Sequence, residues 1–346
     1  MIRLFSVIIF ILGVVGCANK LMQYEKLDDL NKNQEFEKSV QILTPEVSSV
    51  SSESTIQSGN NQQTLSPAVK KEKTPPVQKK KKDIPAKTLE VLKHEPDIED
   101  GSAFVGRRPI IDPFRVGETV VLDVKYLGLT AGFLTMRVDP FGIVNGKKSY
   151  GFVTSIQSYP AFSKMIYEVN DKAVTWMNFD TMTPEVFSLH VRESGQLKEG
   201  QAWFDQQNNK ATYWEKKVTK KSGEESKKKE WDILPYSQNV FSAVYYMRLF
   251  PWEIGKEYSF RVADQEDNLV FKGKAVRKET LETENNGLLK TIVVKPEFEV
   301  KGIFKPVGDI YFWLTDDDRK LVVRIEAKIA IGTLVCELKN IAPGSP

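Results

Sequence analysis

The chain has 346 residues and is weakly basic, with 49 Lys and Arg against 46 Asp and Glu and a formal net charge of +3. So small an excess does not indicate a nucleic-acid-binding protein, because such proteins concentrate positive charge on one surface. Two Cys and two His are too few for a multi-bridge disulfide framework or a His/Cys metal cluster.

Residues 1–16 predict an export signal peptide, since the single cation Arg3 precedes an apolar run from Leu4 to Val15. The run is about a dozen residues, shorter than the roughly 20 that a membrane-spanning helix needs. Cys17 directly follows Val-Val-Gly, which resembles the lipobox of bacterial lipoproteins. That resemblance implies cleavage before Cys17 and acylation of its thiol and amine. The alternative is an ordinary secretory signal followed by an incidental cysteine.

The residues after the cysteine indicate which membrane holds the anchor. Ala18 and Asn19 occupy the positions where enteric lipoproteins retained in the inner membrane carry Asp. By this analogy we expect a periplasmic protein anchored in the outer membrane. With Cys17 acylated, Cys336 is the remaining cysteine of the chain, which excludes an intramolecular disulfide, and we expect it to be a buried core residue.

Residues 17–43 have a loosely helical apolar pattern, which suits either a short surface helix or a polar linker. Residues 44–111 are rich in Ser, Gln, Lys, Glu and Pro, and such a composition buries too little apolar surface to offset the entropy of ordering. We therefore predict a disordered tether that holds a folded domain several nanometres from the membrane.

The tether contains a basic cluster that has two interpretations. It is attracted to anionic lipid or cell-wall polymer, or it only keeps a solvated linker extended. The cluster consists of Lys70, Lys71, Lys73, Lys79, Lys80, Lys81 and Lys82.

Residues 112–342 have the composition of a single folded domain with a sizeable core. Apolar and polar residues alternate along about a dozen short segments separated by turn residues, which predicts half-buried antiparallel strands. We expect an all-β dominated fold with a curved antiparallel sheet, as a half-barrel, barrel or sandwich. Residues 237–250 lack alternation and lie between Pro235 and Pro251, so we predict one helix packed on the sheet.

Four segments of this domain resemble the DUF3108 family of exported bacterial proteins of unknown function. They are PFRVGETVVLDVKYLGLTAGFLTM, FDTMTPEVFSLHVRE, NVFSAVYYMRLFPWEIGKEYSFRV and YFWLTDDDRKLVVRIEAKIAIGTLVCEL. The resemblance covers nearly the whole domain and supports the predicted fold. It implies no set of catalytic residues.

Motifs for catalysis are lacking: the sequence has no HExxH, phosphate-binding loop or GxSxG elbow, and we predict no catalytic residue, metal or cofactor. Arg248 stands out because a guanidinium in an apolar helix must find a carboxylate or carbonyls. It forms a structural ion pair or holds an anionic ligand headgroup at the mouth of the sheet. Aromatic residues that are candidates for a ligand surface are Trp203, Tyr213, Trp214, Trp231 and Trp252.

Our leading hypothesis is a non-enzymatic envelope protein whose curved sheet binds a lipid, another amphiphile or a partner protein. The alternatives are a scaffold docked on an envelope complex or cell wall, and a hydrolase of envelope polymer, for which no motif is present. A contiguous apolar cavity favours the first hypothesis, whereas a filled core with an exposed apolar patch favours the scaffold.

Overall fold

The computed structural model describes residues 20–25, 27–45, 94–264, 266–300, 303–305, 310–328 and 332–345. The signal peptide, Cys17 and the basic cluster of the predicted tether lie outside these residues, so those expectations remain predictions.

Sixteen strands of the described chain belong to one sheet. They are β1 (Ile42–Leu43), β4 (Thr119–Tyr126), β5 (Leu129–Val144), β6 (Lys147–Ser158), β7 (Asn170–Asn178), β8 (Pro184–Arg192), β9 (Gln196–Asp205), β10 (Lys210–Thr219), β11 (Gly223–Asp232), β12 (Glu257–Asp264), β13 (Asp267–Thr283), β14 (Gly287–Val300), β15 (Ile303–Lys305), β16 (Ile310–Thr315), β17 (Val322–Lys328) and β18 (Thr333–Ala342). A separate small hairpin joins β2 (Phe104–Val105) and β3 (Arg108–Pro109).

The main path of the sheet runs β11-β10-β9-β8-β7-β6-β5-β4-β18-β17-β16-β14-β13-β12, and every strand pair is antiparallel. Alternation decides which side chains enter the core. In β4, Val120, Leu122, Val124 and Tyr126 are buried while the residues between them are half-buried. The predicted all-β fold with a curved antiparallel sheet and a packed helix is confirmed.

The two edge strands approach each other without forming a ladder in the described residues, so the sheet is not closed. The Asn268 side chain donates to the Asp232 carbonyl at 2.9 Å, and Lys229 pairs with Glu266 at 2.9 Å. The segment that follows β11 makes a single parallel bridge from Gln238 to Val262 of β12. The architecture is therefore an open barrel.

Helices are short in the described chain: α1 (Leu27–Asn31), α2 (Gln34–Ser39), α3 (Pro96–Glu99), α4 (Pro160–Met165) and α5 (Val240–Tyr246). The predicted packed helix is α5, which continues as a 3₁₀ turn over Met247–Leu249. It lies inside the open barrel, where Phe241 stacks on Phe187 of β8 with ring centroids 5.2 Å apart.

Residues 20–45, which we call the strap, lie on the sheet face opposite α5. Phe36 is buried in a cluster with Trp176 and Trp214, and Leu30 is buried against β9 and β10. Ile42 pairs with Val144 and extends the sheet. The strap thus packs on the sheet from Lys20 onward, within a segment that the sequence assigned to the lipidated N-terminus.

Residues 94–111 also belong to the domain, so the predicted disorder is wrong for this part of the linker. Arg107 forms a buried ion pair with Glu95 at 3.0 Å and donates to the Tyr246 hydroxyl at 2.8 Å. Ile98 is fully buried in the main core. These contacts could not be predicted from composition, because the few side chains that make them are scattered among many polar residues.

The connections β4–β5, β6–β7, β8–β9 and β10–β11 lie at one end of the sheet, because successive antiparallel strands reverse direction. We call this the turn end. The strap starts there: the Leu21 amide donates to the Glu168 carboxylate at 2.8 Å, and the Met22 amide donates to the Glu193 carbonyl at 3.0 Å.

Candidate functional site

A cavity of about 170 Å³ lies between α5 and the concave face of the sheet. Most of the side chains that line it are apolar; its polar members are Thr154, Asp171 and Lys172. An apolar engineered cavity of about 150 Å³ stays dry and binds benzene, so a space of this size and lining suits a small apolar group.

One wall of the cavity is the helix. Its lining residues Val240, Phe241, Ala243, Val244 and Met247 recur at intervals of three, four and seven, which places them on one face of the helix. Val240, Phe241 and Val244 are only half-buried, so this apolar face is not fully covered by the sheet.

Buried polar contacts hold the helix in position. Asn239 caps the first turn by accepting from the Ser242 amide, and the Ser242 hydroxyl accepts from the Asn239 amide. The Asn239 amide group also donates to the Thr175 hydroxyl of β7 at 3.2 Å. Near the other end, the Tyr245 hydroxyl donates to the Val153 carbonyl at 2.8 Å. The cavity wall is therefore fixed to the sheet at both ends.

The sheet supplies the remaining walls from two groups of strands. One group contributes Leu134, Met136, Ile156, Ala173 and Leu189, and the other contributes Phe271, Pro296, Phe312 and Ile325. Most of these positions lie near the ends of their strands that face the turn end. Leu134, Ile156 and Phe312 are half-buried, which identifies the turn end as the mouth of the cavity.

Asp171 is the buried charged residue of the lining, with 3% of its surface exposed. Its carboxylate accepts from the Arg192 amide at 2.9 Å. Burial and the neighbouring Glu193 carboxylate raise the pKa of Asp171 to about 8. The raised pKa favours the protonated form of the Asp171 carboxyl, and the hydrogen bond of this carboxyl is made to the Glu193 side chain.

Arg248 does not line the cavity but forms a buried ion pair. Its guanidinium binds both oxygens of Glu118 and donates to the carbonyls of Pro113 and Arg319 at 2.8 and 2.9 Å. Arg319 also binds Glu118, at 2.5 Å. Of the two roles considered for Arg248, this geometry is that of the structural ion pair, since its donors are directed at the protein.

The other side chains considered for chemistry also lie outside the cavity lining. The aromatic residues proposed as a ligand surface, Trp203, Tyr213, Trp214, Trp231 and Trp252, are not among the lining residues. Cys336 is buried, and its surroundings raise the pKa of its thiol to about 12. In the described ranges, no three His, Cys, Asp or Glu side chains are grouped to hold a metal ion.

The sequence did not reveal Asp171 or the cavity. Asp171 begins a strand beside polar neighbours, and its burial depends on Glu193 and Arg192, about twenty residues away. The one available signal was the predicted helix between Pro235 and Pro251. This helix has more apolar residues than a single face packed on the sheet would bury.

The comparisons with known proteins concern the sheet that forms this site. The family model described as a protein of unknown function (DUF3108) matches residues 121–339. The chain belongs to the DUF3108 family. The DUF3108 match covers most of the strands and α5, so the cavity is built from the family domain. No curated protein matches the chain.

Two solved structures are similar to this DUF3108 protein. A β-barrel-like protein of the DUF1849 domain of unknown function from Brucella abortus has 10% identity and a TM-score of 0.39, covering 65% of this chain and 97% of that one. A candidate exported protein with a YmcC-like fold from Bacteroides fragilis NCTC 9343 has 12% identity and a TM-score of 0.30, covering 67% and 98%.

Proposed function

We propose that this DUF3108 protein is a non-enzymatic, lipid-anchored envelope protein that binds an acyl chain or a similar apolar group in the cavity beneath α5. The observation that carries the proposal is the largely apolar cavity between α5 and the concave face of the sheet. A contiguous cavity is the feature that favours ligand binding over a purely structural scaffold.

The size of the cavity limits the ligand. At about 170 Å³ it is smaller than the roughly 300–1,000 Å³ of pockets that enclose drug-sized molecules. It therefore takes part of a chain, with the rest of an amphiphile remaining outside the mouth.

The anchor in this proposal is acylated Cys17, held in the outer membrane and facing the periplasm, as the sequence pattern predicts. Several acyl chains at about 0.8 kcal/mol per buried methylene give stable membrane attachment. No helix in the described ranges is long and apolar enough to span a bilayer. Mass spectrometry of the N-terminal peptide of the purified chain tests the acylation directly.

The binding experiment uses the full chain with Cys17→Ala and the fluorescent fatty acid cis-parinarate, displaced by laurate. We expect saturable binding, and we expect Leu134→Trp to weaken it because the indole fills the cavity. Thr135→Trp is the matched control, since the adjacent residue of β5 points to the opposite sheet face.

Val244→Trp fills the same cavity from the helix and keeps the test valid if Leu134→Trp destabilises the sheet. Thermal unfolding of each variant shows whether it is folded. Absence of cis-parinarate binding by the folded parent chain, or equal binding by the parent and both cavity-filling variants, would overturn the proposed function.

A further inference from the structure

Four large apolar side chains are exposed at the turn end. Leu127 and Leu129 in the β4–β5 turn are 64% and 56% exposed, and Met165 and Ile166 after β6 are 79% and 45% exposed. The two segments are neighbours, because β5 and β6 pair from Gly132 and Ser158 onward. Apolar groups clustered in this way commonly mark a contact surface.

Leu127 occupies its position at a conformational cost. It has φ 49° and is followed by Gly128 at φ 78°, so both central residues of this turn have positive φ. Such hairpin turns favour Asn, Asp or Gly at the first central position, whereas a bulky side chain there is strained. The turn itself therefore does not require a leucine at this position, although the side chain lies beside Gly332.

The strap begins at the same end. Leu21 is hydrogen-bonded to Glu168, and four peptide units separate it from Cys17. An extended chain spans at most about 3.3–3.6 Å per residue, so Cys17 lies within roughly 14 Å of this contact. The acyl chains of the proposed anchor consequently hold the turn end, and not the opposite end, near the bilayer.

The mouth of the cavity opens at that end as well, where Ile156 of β6 and Phe312 of β16 are half-buried. We propose that the turn end is a membrane-contacting surface: Leu127, Leu129, Met165 and Ile166 insert into the lipid bilayer that holds Cys17, and the cavity opens toward that bilayer. The occupant of the surface is thus lipid, and an acyl chain enters the cavity without crossing water.

This inference rests on the proposed anchor, and its test measures insertion separately from ligand binding. The acylated full chain carrying Met165→Cys is labelled with an environment-sensitive NBD group and placed in vesicles of phosphatidylethanolamine and phosphatidylglycerol. Acylated Cys17 has no thiol to label, and Cys336 is buried. Asp180→Cys, exposed in the β7–β8 turn at the opposite end, is the matched control.

We expect a blue shift and quenching by nitroxide-labelled lipid at position 165 and neither at position 180. Leu127→Asn combined with Leu129→Asn should reduce the quenching at position 165 without unfolding the protein, since Asn suits the turn. Equal quenching at both ends, or none at position 165 in protein shown by mass spectrometry to be acylated, would overturn the inference.

The same samples are titrated with cis-parinarate. Quenching at position 165 without cis-parinarate binding would refute the proposed ligand function and leave the membrane orientation standing. Binding of cis-parinarate without quenching would refute the orientation alone.

Discussion

Arg248 and Glu118 form a two-point ion pair that joins the end of the helical segment to the start of β4, with 3% of each side chain exposed. Removing one partner leaves a buried charge with fewer partners, which costs about 3–5 kcal/mol. We therefore expect Arg248→Met to lower the free energy of unfolding by an amount of this order, measured by urea denaturation.

The exposed pair of Lys229 with Glu266 provides the comparison, with 44% and 48% of the side chains exposed. Because water screens such pairs, Lys229→Met should change the free energy of unfolding by no more than about 1 kcal/mol. Similar effects of the two substitutions would contradict the structural role assigned to Arg248.

The carboxyl of Asp171 makes stability depend on pH. Its ordinary pKa is 3.8, and burial beside Glu193 raises the pKa to about 8 in the folded chain. The folded state thus binds a proton that the unfolded state releases, and this contribution is complete below the ordinary pKa and is lost as pH rises through about 8. Thermal unfolding between pH 4 and pH 8 should show stability decreasing.

Asp171→Asn should flatten this part of the pH profile, since the amide stays neutral. Asp180→Asn alters an exposed carboxylate and serves as the control. If Asp171→Asn leaves the slope unchanged, the pKa of Asp171 is not raised in the folded protein.

The docking of the strap depends on Phe36, which is 6% exposed against Trp176 and Trp214. Replacing a buried Phe with Ala costs about 3–5 kcal/mol in a well-packed core. We expect Phe36→Ala to detach the strap and to speed proteolytic cleavage within residues 20–45. The cleavage sites and their rates are measured by peptide mass mapping. Lys38→Ala, at an exposed position of α2, should leave cleavage unchanged. Rapid cleavage of the strap in the parent chain would show that it does not dock.

The thiol of Cys336 should be unreactive in the folded protein. Burial raises its pKa to about 12, and only the thiolate is an effective nucleophile. With Cys17→Ala as background, the reagent 5,5′-dithiobis(2-nitrobenzoate) should react with Cys336 after unfolding in guanidinium and hardly at all before. Prompt reaction of the native protein would place Cys336 at an accessible surface.

Much of the fold was predictable because most strands bury one face. The alternation of Val120, Leu122 and Val124 identifies β4, and the apolar run between two prolines identifies the helix. β11 was not predicted, because most residues of GEESKKKEWD are polar on both faces of the strand. The segment pairs with β10 along its whole length. Its lysines suit an edge strand, where charge discourages pairing with other chains.

The strap and the cavity were harder to predict for a related reason. Phe36 and Leu30 are isolated apolar residues in a polar stretch, and only the three-dimensional surface formed by Trp176, Trp214 and Leu197 gives them a partner. A cavity, likewise, depends on how closely α5 approaches the sheet, which local pattern does not encode. The residues near the membrane in our proposal are therefore ones that sequence alone assigns to linker and turns.

The strap and Glu95 both belong to the folded domain, so the segment between them connects two parts of one domain. The entropy of closing a loop changes by only about 0.6 kcal/mol per doubling of its length. We therefore expect the free energy of unfolding to change by only about this amount when the length of the connecting segment is doubled.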